Sequence, residues 1–390
     1  MKACDPWGIF CTRGLCLRKM TIATGNIMKL GIIGLPGAGK TTIFNALTRG
    51  DAPTGQSIGG RFDVLTAVVD VHDDRVDILN EIFNPQKRTY ARITYTDVAG
   101  LKKGSGANGG MEGQLLNHLA GLDGFVHVVR GFESDYVPHP DGNVDAARDL
   151  KDLDLEFLFN DLIVVEKRIE KLQHGLDRGV FKGDKAAAVA ELALFKTLHE
   201  ALSDERPLRD LDLDEEQRKS LRGYGLLTIK PLLVVININD EQNDITLEYD
   251  HKIAMVTNMR GKLEMELTQF GASGDEDSLM MFMEEYNVNE LGLDRAIRLS
   301  YDLMGLQSFF TVGEDEVRAW TVKRGASAVD AAGTIHSDLA KGFIRAETVS
   351  YSDLVDLGGL AQARTAGKLR QEGKTYVVQD GDVISVKFNL

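Results

Sequence analysis

From Met28 onward, short unbroken apolar runs alternate with stretches whose apolar positions recur at helical spacing. Lys29 to Gly34 (KLGIIG), Gly124 to Val129 (GFVHVV) and Leu232 to Ile238 (LLVVINI) are runs of the first kind. Each has the length and composition of a strand buried on both faces. Val64 to Val71 and Arg92 to Val98 also read as strands. Thr41 to Thr48 and Asp73 to Phe83 read as helices, the second with Val76, Leu79 and Phe83 on one face. Strands separated by helices predict a parallel sheet covered on both sides.

From Asp152 to Leu221 that rhythm stops. DLEFLFNDLIVVEKRIEKL, KAAAVAELALFKTLHEAL and DEEQRKSLRGY all have helical spacing, with a Gly-rich turn between the first two. An antiparallel helical hairpin inserted into the α/β domain accounts for this pattern. Near Phe309 the texture changes again. VRAWTVK (317–323), ETVS (347–350) and YVVQDGDVISVKF (376–388) are strand-like, and a helix is predicted through Ser327 to Leu339. The expected organisation is α/β in residues 28–150 and 226–304, a helical coiled-coil arm at 151–225, and a small α+β domain at 305–390. Residues 1–27 show no periodicity and read as a dispensable leader or an over-long start.

Composition narrows the function classes. The 390 residues carry 45 Lys and Arg against 59 Asp and Glu, a net charge of −14. Such a chain repels DNA and anionic lipid as a whole, and its apolar runs are far short of the ~20 residues of a membrane span. Arg364, Lys368, Arg370 and Lys374 form a local basic group suited to RNA phosphates. The three cysteines, Cys4, Cys11 and Cys16, all precede Met28, so no disulfide framework holds the body. These features point to a cytoplasmic monomer that does not enter membranes.

Gly34-Leu35-Pro36-Gly37-Ala38-Gly39-Lys40-Thr41 matches G-x-x-x-x-G-K-[ST], directly after a strand and directly before a helix. Its glycines turn backbone N–H groups inward around a phosphate, and the helix dipole points at the same anion. Gly34, Gly37, Ala38, Gly39 and Thr42 are expected in this cradle. Lys40 reaches the outer phosphates, and the Thr41 hydroxyl ligates Mg2+. Asp97-Val98-Ala99-Gly100 follows about sixty residues later at a strand end. There Asp97 serves the metal and the Gly100 N–H serves the terminal phosphate. Leu101 stands where related hydrolases carry a water-positioning Gln, so intrinsic hydrolysis is expected to be slow. Asn237-Ile238-Asn239-Asp240 takes the place of the base-reading N-K-x-D loop, with Ile238 where that pattern has Lys and Asp240 as the base acceptor.

The stretch GLPGAGKTTIFNALT, the motif DVAGL, HVVRGF (127–132) and the long C-terminal stretch from FFTVGEDEVRAW to VISVKFN together resemble the YchF family. These are the Obg-like ATPases of the translation-factor branch of P-loop NTPases, and the resemblance covers Met28 to Leu390. It implies a GTPase-like domain interrupted by a helical arm, then a TGS-like domain of β-grasp fold. It also implies hydrolysis of ATP, or of GTP, and association with the ribosome or rRNA. His139, in the loop after HVVR, falls where the family has a candidate water-positioning histidine. The sequence departs from the family at Gly37, where Asn is usual, at Thr41, where Ser is usual, and at Asp240, where the base loop ends in Glu. The switch threonine is not evident, with Thr54, Ser57 and Thr66 as alternatives near Arg61. The competing reading is a nucleotide-binding ribosome or RNA adaptor with negligible hydrolysis. A small-molecule kinase would need an Arg-bearing lid that the chain does not show.

Overall fold

The computed structural model describes residues 28–50, 64–98, 113–178, 184–272, 281 and 291–389. Two compact units emerge. One combines Lys29–Ala67 with Thr94–Leu303, and the other combines Val68–Ile93 with Met304–Leu390.

The first unit is built on a sheet of order β2-β4-β1-β5-β6-β7, comprising β1 (Lys29–Ile33), β2 (Val64–Val71), β4 (Ala91–Val98), β5 (Gly124–Arg130), β6 (Leu232–Asn237) and β7 (Ala254–Met259). Pairings β4-β1, β1-β5, β5-β6 and β6-β7 are all parallel. The expected parallel sheet is therefore present. Strand β7 was not expected, because Thr257 and Asn258 break its apolar run. Helix α1 (Lys40–Thr48) leaves the tip of β1. Helix α3 (Gly113–Ala120) and the start of α4 (Ala146–Asp177) share one core with the sheet, through Leu115, Leu119, Leu150, Leu153 and Phe157.

No break occurs at the expected arm boundary of residue 151. Helix α4 is capped at Asp145, whose carboxylate accepts from Arg148 N, and runs on unbroken. Its first turns bury in the sheet core, while Leu158 and Val165 bury against Phe195, Leu198 and Leu202 of α5 (Lys185–Ser203). Pairing of Arg168 with Glu191 and of Glu166 with His199 fixes the two helices as antiparallel. The buried Asp161 ties α4 to the returning chain, accepting from the backbone N–H groups of Leu227 and Thr228 and from the Thr228 hydroxyl.

In the second unit the sheet order is β11-β10-β12-β8-β9-β3, with β3 (Lys87–Thr89), β8 (Leu306–Thr311), β9 (Glu316–Lys323), β10 (Phe343–Ser350), β11 (Arg370–Glu372) and β12 (Asp382–Phe388). The first and last strands of the C-terminal segment, β8 and β12, lie parallel at the centre. Antiparallel partners flank them, and the helix Ala328–Ile335 shares their core, which is the β-grasp arrangement. Two local expectations are corrected. The predicted helix 327–339 is broken at His336, whose extended backbone ends one helix and caps the next. The run 376–388 is a strand only from Asp382, because Gly381 turns the chain at φ 85°. Helix α2 (Asp74–Phe83) also belongs to this unit, with Arg75 bonded to Asp380 at 2.7 Å.

His127 on β5 is 1% exposed, and burial holds its pKa down at about 3, well below 6.5. Its proton binds more tightly in the unfolded chain between those values. Stability should therefore fall as pH drops from 6.5 towards 3, by at most about 1.4 kcal/mol per pH unit from this group. Urea unfolding across that range should show a shallower pH slope for His127→Phe than for the wild type. Equal slopes would mean that His127 is not held neutral.

Candidate nucleotide site

The site assembles where β1, β4, β5 and β6 end. Register places Ile32 beside Asp97 of β4, Ile33 beside His127 of β5, and Arg130 of β5 beside Asn237 of β6. The loop from Gly34 to Gly39 lies between the two sides. Two of its glycines are sterically required. A Cβ on Gly34, at φ 149°, would meet Val128 O at 2.3 Å, and one on Gly39, at φ 90°, would meet Asn237 Nδ2 at 2.1 Å. Gly37 has φ 76° and is exposed, as is Pro36; Ala38 is buried.

Lys40 folds back on the loop, its Nζ donating to Gly34 O and Leu35 O at 3.0 Å each. Burial pushes its pKa down, against the pull of Asp97. The Thr41 hydroxyl donates to Asp97 Oδ2 at 2.9 Å. Asp97 is 7% exposed, and burial raises its pKa despite the Thr41 bond and the Lys40 charge. Its second oxygen, Oδ1, is buried and has no partner among the described residues. Thr42 is the third residue of α1 and half-buried. Lys40, Thr41 and Asp97 are thus brought together. Gly100, Leu101, Thr54, Ser57 and Arg61 lie outside the described residues, while Thr66 sits on β2 within 3.3 Å of the Thr96 hydroxyl.

The base loop forms the other wall. Asn237 is 4% exposed; its Nδ2 donates to Ala38 O at 3.1 Å and its Oδ1 accepts from Gly261 N at 3.2 Å. Its side chain therefore braces the phosphate loop against the start of α7 (Gly261–Ala272). Arg260 holds the same loop, donating to Asp240 O and Gln242 O. Asp240 Oδ1 is buried and has no partner among the described residues. Ile238 is not a wall residue: at 2% exposed it packs into the sheet core, because the loop Lys it replaces would need an open face and Ile does not.

His139, in the loop between β5 and α4, is buried. Its side chain is 3% exposed, its Nε2 lies 2.8 Å from Asp149 Oδ2, and its Nδ1 accepts from Asp141 N at 3.1 Å. Because Nδ1 accepts, Nε2 carries the proton and donates to Asp149. Both ring nitrogens are bonded, which ties the 131–145 loop to α4.

Two features escaped the sequence reading. Arg130, the Arg of HVVRGF, is 2% exposed beside Gly37. The C-terminal cations are also less free than their spacing implied. Arg364 pairs with Glu347, Lys368 with Asp353, and Arg370 with Glu372 and Asp382, so this group is largely neutralised.

Comparison with known proteins places the chain among relatives of the same layout. A model described as "50S ribosome-binding GTPase" matches residues 29–167. A YchF-GTPase C-terminal model, described as "Protein of unknown function (DUF933)", matches residues 306–389. The "Ribosome-binding ATPase YchF" of Bacillus subtilis is 41% identical over 92% of this chain and 99% of its own. Its Escherichia coli O157:H7 namesake is 37% identical over 93% and 99%, and "Obg-like ATPase 1" of Caenorhabditis elegans is 34% identical over 94% and 93%. The solved structure of the Schizosaccharomyces pombe YchF GTPase superimposes with a TM-score of 0.79 at 31% identity, covering 93% of this chain and 98% of that one.

Proposed function

The chain belongs to the YchF family, and from that premise we propose that it is a ribosome-associated, Mg2+-dependent NTPase that hydrolyses ATP, with GTP competing. The observation that carries this reading is the meeting of Lys40, Thr41 and Asp97 at the phosphate loop, with one Asp97 oxygen left without a partner. A hydroxyl and a carboxylate are hard oxygen donors of the kind Mg2+ takes. Thr41 and Asp97 would hold the ion, which when bound neutralises phosphate charge. The loop N–H groups and Lys40 orient the polyphosphate, and Asn237 keeps that loop and the base loop in fixed relation.

Ribosome association rests on the names that the relatives carry, and is the cytoplasmic role the proposal gives the protein. Leu101, an apolar residue where related hydrolases carry a water-positioning Gln, favours slow turnover of the isolated protein, well below the ~10 s⁻¹ of a median enzyme. The deciding experiment is phosphate release by purified protein with Mg2+ or EDTA, with and without ribosomes. Release that ignores EDTA, or no co-sedimentation with ribosomes, overturns the corresponding half of the proposal.

Base choice turns on Asp240. Guanine offers N1–H and an exocyclic amine to a carboxylate, and adenine offers neither there. A short Asp, held by its backbone at Arg260 and with Oδ1 unpartnered, can accept both. Asp240→Glu is expected to weaken GTP about tenfold or more while changing ATP little. Paired titrations of the two nucleotides check this, and equal changes, or none, would remove Asp240 from base reading.

A further inference from the structure

Arg130 ends β5, and its guanidinium is held by two bonds. Nε donates to Phe132 O at 3.0 Å, and Nη2 donates to Val137 O at 2.7 Å. Its plane lies over the Phe132 ring, 4.6 Å from the centroid. The third arm, Nη1, is buried and has no partner among the described residues. It points at the phosphate loop: a Cβ built on Gly37 would lie 3.5 Å from it. An unpartnered donor on a buried cation is costly, and here it is aimed at a glycine-rich loop shaped for an anion.

Resting on the nucleotide-binding reading above, we propose that Arg130 Nη1 is a binding contact for the diphosphate part of the nucleotide. The side of the loop decides which part. Asp97 approaches from β4, on one flank of β1; Arg130 approaches from β5, on the other, next to Asn237 of the base loop. Arg130 therefore meets the phosphates shared by nucleoside di- and triphosphates, on the base side and away from the Thr41–Asp97 end. Because two arms and the ring stack are already fixed, the contact forms without ordering the side chain further, and a planar guanidinium suits phosphate oxygens. Ile238 has withdrawn into the core, so the base loop supplies no cation of its own at the Lys position; Arg130, one strand away, supplies it.

The test uses the full chain with ATP, ADP and adenosine. Arg130→Ala is expected to weaken ATP and ADP alike, each about tenfold to a hundredfold, to leave adenosine unchanged, and to raise KM with kcat within about twofold. Arg130→Lys should recover part of the loss. Should the alanine variant misfold, nitrogen-resolved NMR of the wild-type Arg130 guanidinium replaces it: its signals should move on adding ADP and stay still with adenosine. Wild type that binds neither ATP nor ADP would sink the nucleotide reading itself. Wild-type binding with unchanged ATP and ADP affinity in a folded variant, a loss confined to ATP, or guanidinium signals indifferent to ADP would each overturn the Arg130 assignment alone.

Discussion

Lys40→Ala is expected to lower phosphate release about a hundredfold or more while leaving the fold in place. The Lys40 Nζ bonds two loop carbonyls, those of Gly34 and Leu35. Losing those bonds also removes the cost of burying the ammonium, so the net loss is a few kcal/mol at most, within what a domain of this size tolerates. In the proposed nucleotide complex the same ammonium would face phosphate oxygens. There each charge-assisted bond is worth about 1.5–3 kcal/mol, and more where charge builds during transfer. Burial has already lowered the Lys40 pKa, with Asp97 pulling the other way. A polyphosphate would add negative charge and hold the proton on. Circular dichroism and a malachite-green phosphate assay on the same preparation check both halves. Unchanged release would end the assignment of the 34–41 loop. A collapsed fold would mean that Lys40 is structural.

How much of this was legible in the sequence depends on the range of the interaction involved. The phosphate loop was readable because its chemistry is local: eight consecutive residues, a strand before and a helix after. The parallel sheet was readable because β1, β5 and β6 are largely buried on both faces and hence mostly apolar. What the sequence hid was long-range pairing of short polar segments. Lys87–Thr89 has no strand pattern, yet its backbone pairs with Glu316 to Arg318 and carries α2 into the C-terminal unit. His139 reads as a solvent-facing loop histidine, whereas the fold buries it with its Nε2 2.8 Å from Asp149 Oδ2, ten residues on. Arg130 stood inside a motif, but its direction depends on the β5–β6 register, which no single segment encodes. Ile238 was read by alignment with a Lys it does not imitate: an apolar residue at the end of a buried strand continues into the core.

Asp97→Asn should separate function from stability in opposite directions. Burial raises the Asp97 pKa from 3.8. Its proton is therefore bound more tightly in the folded than in the unfolded chain, so ionisation works against the empty fold as pH rises above 3.8. Asparagine keeps the shape and can still accept from the Thr41 hydroxyl, while removing a charge that has one oxygen unpartnered. The empty variant should melt at the wild-type temperature or above it near neutral pH. Its stability should also decline less as pH rises from 3.8 than the wild type's does. With Mg2+ and ATP the order reverses. A ligand at a hundred times its Kd stabilises the wild type by about 2.7 kcal/mol, and most of the Mg2+-dependent share of that gain should vanish in the variant, along with about a hundredfold of phosphate release. Melting curves with ATP plus EDTA and with ATP plus Mg2+ read the two contributions separately. If the variant keeps the full Mg2+-dependent shift, Asp97 does not serve the metal. If it is strongly destabilised when empty, the carboxylate is a structural acceptor whose second oxygen has found a partner in solution. The expected pattern, a stable protein that has lost its response to Mg2+, follows from a buried acid that the fold maintains at a cost and that only a bound cation relieves.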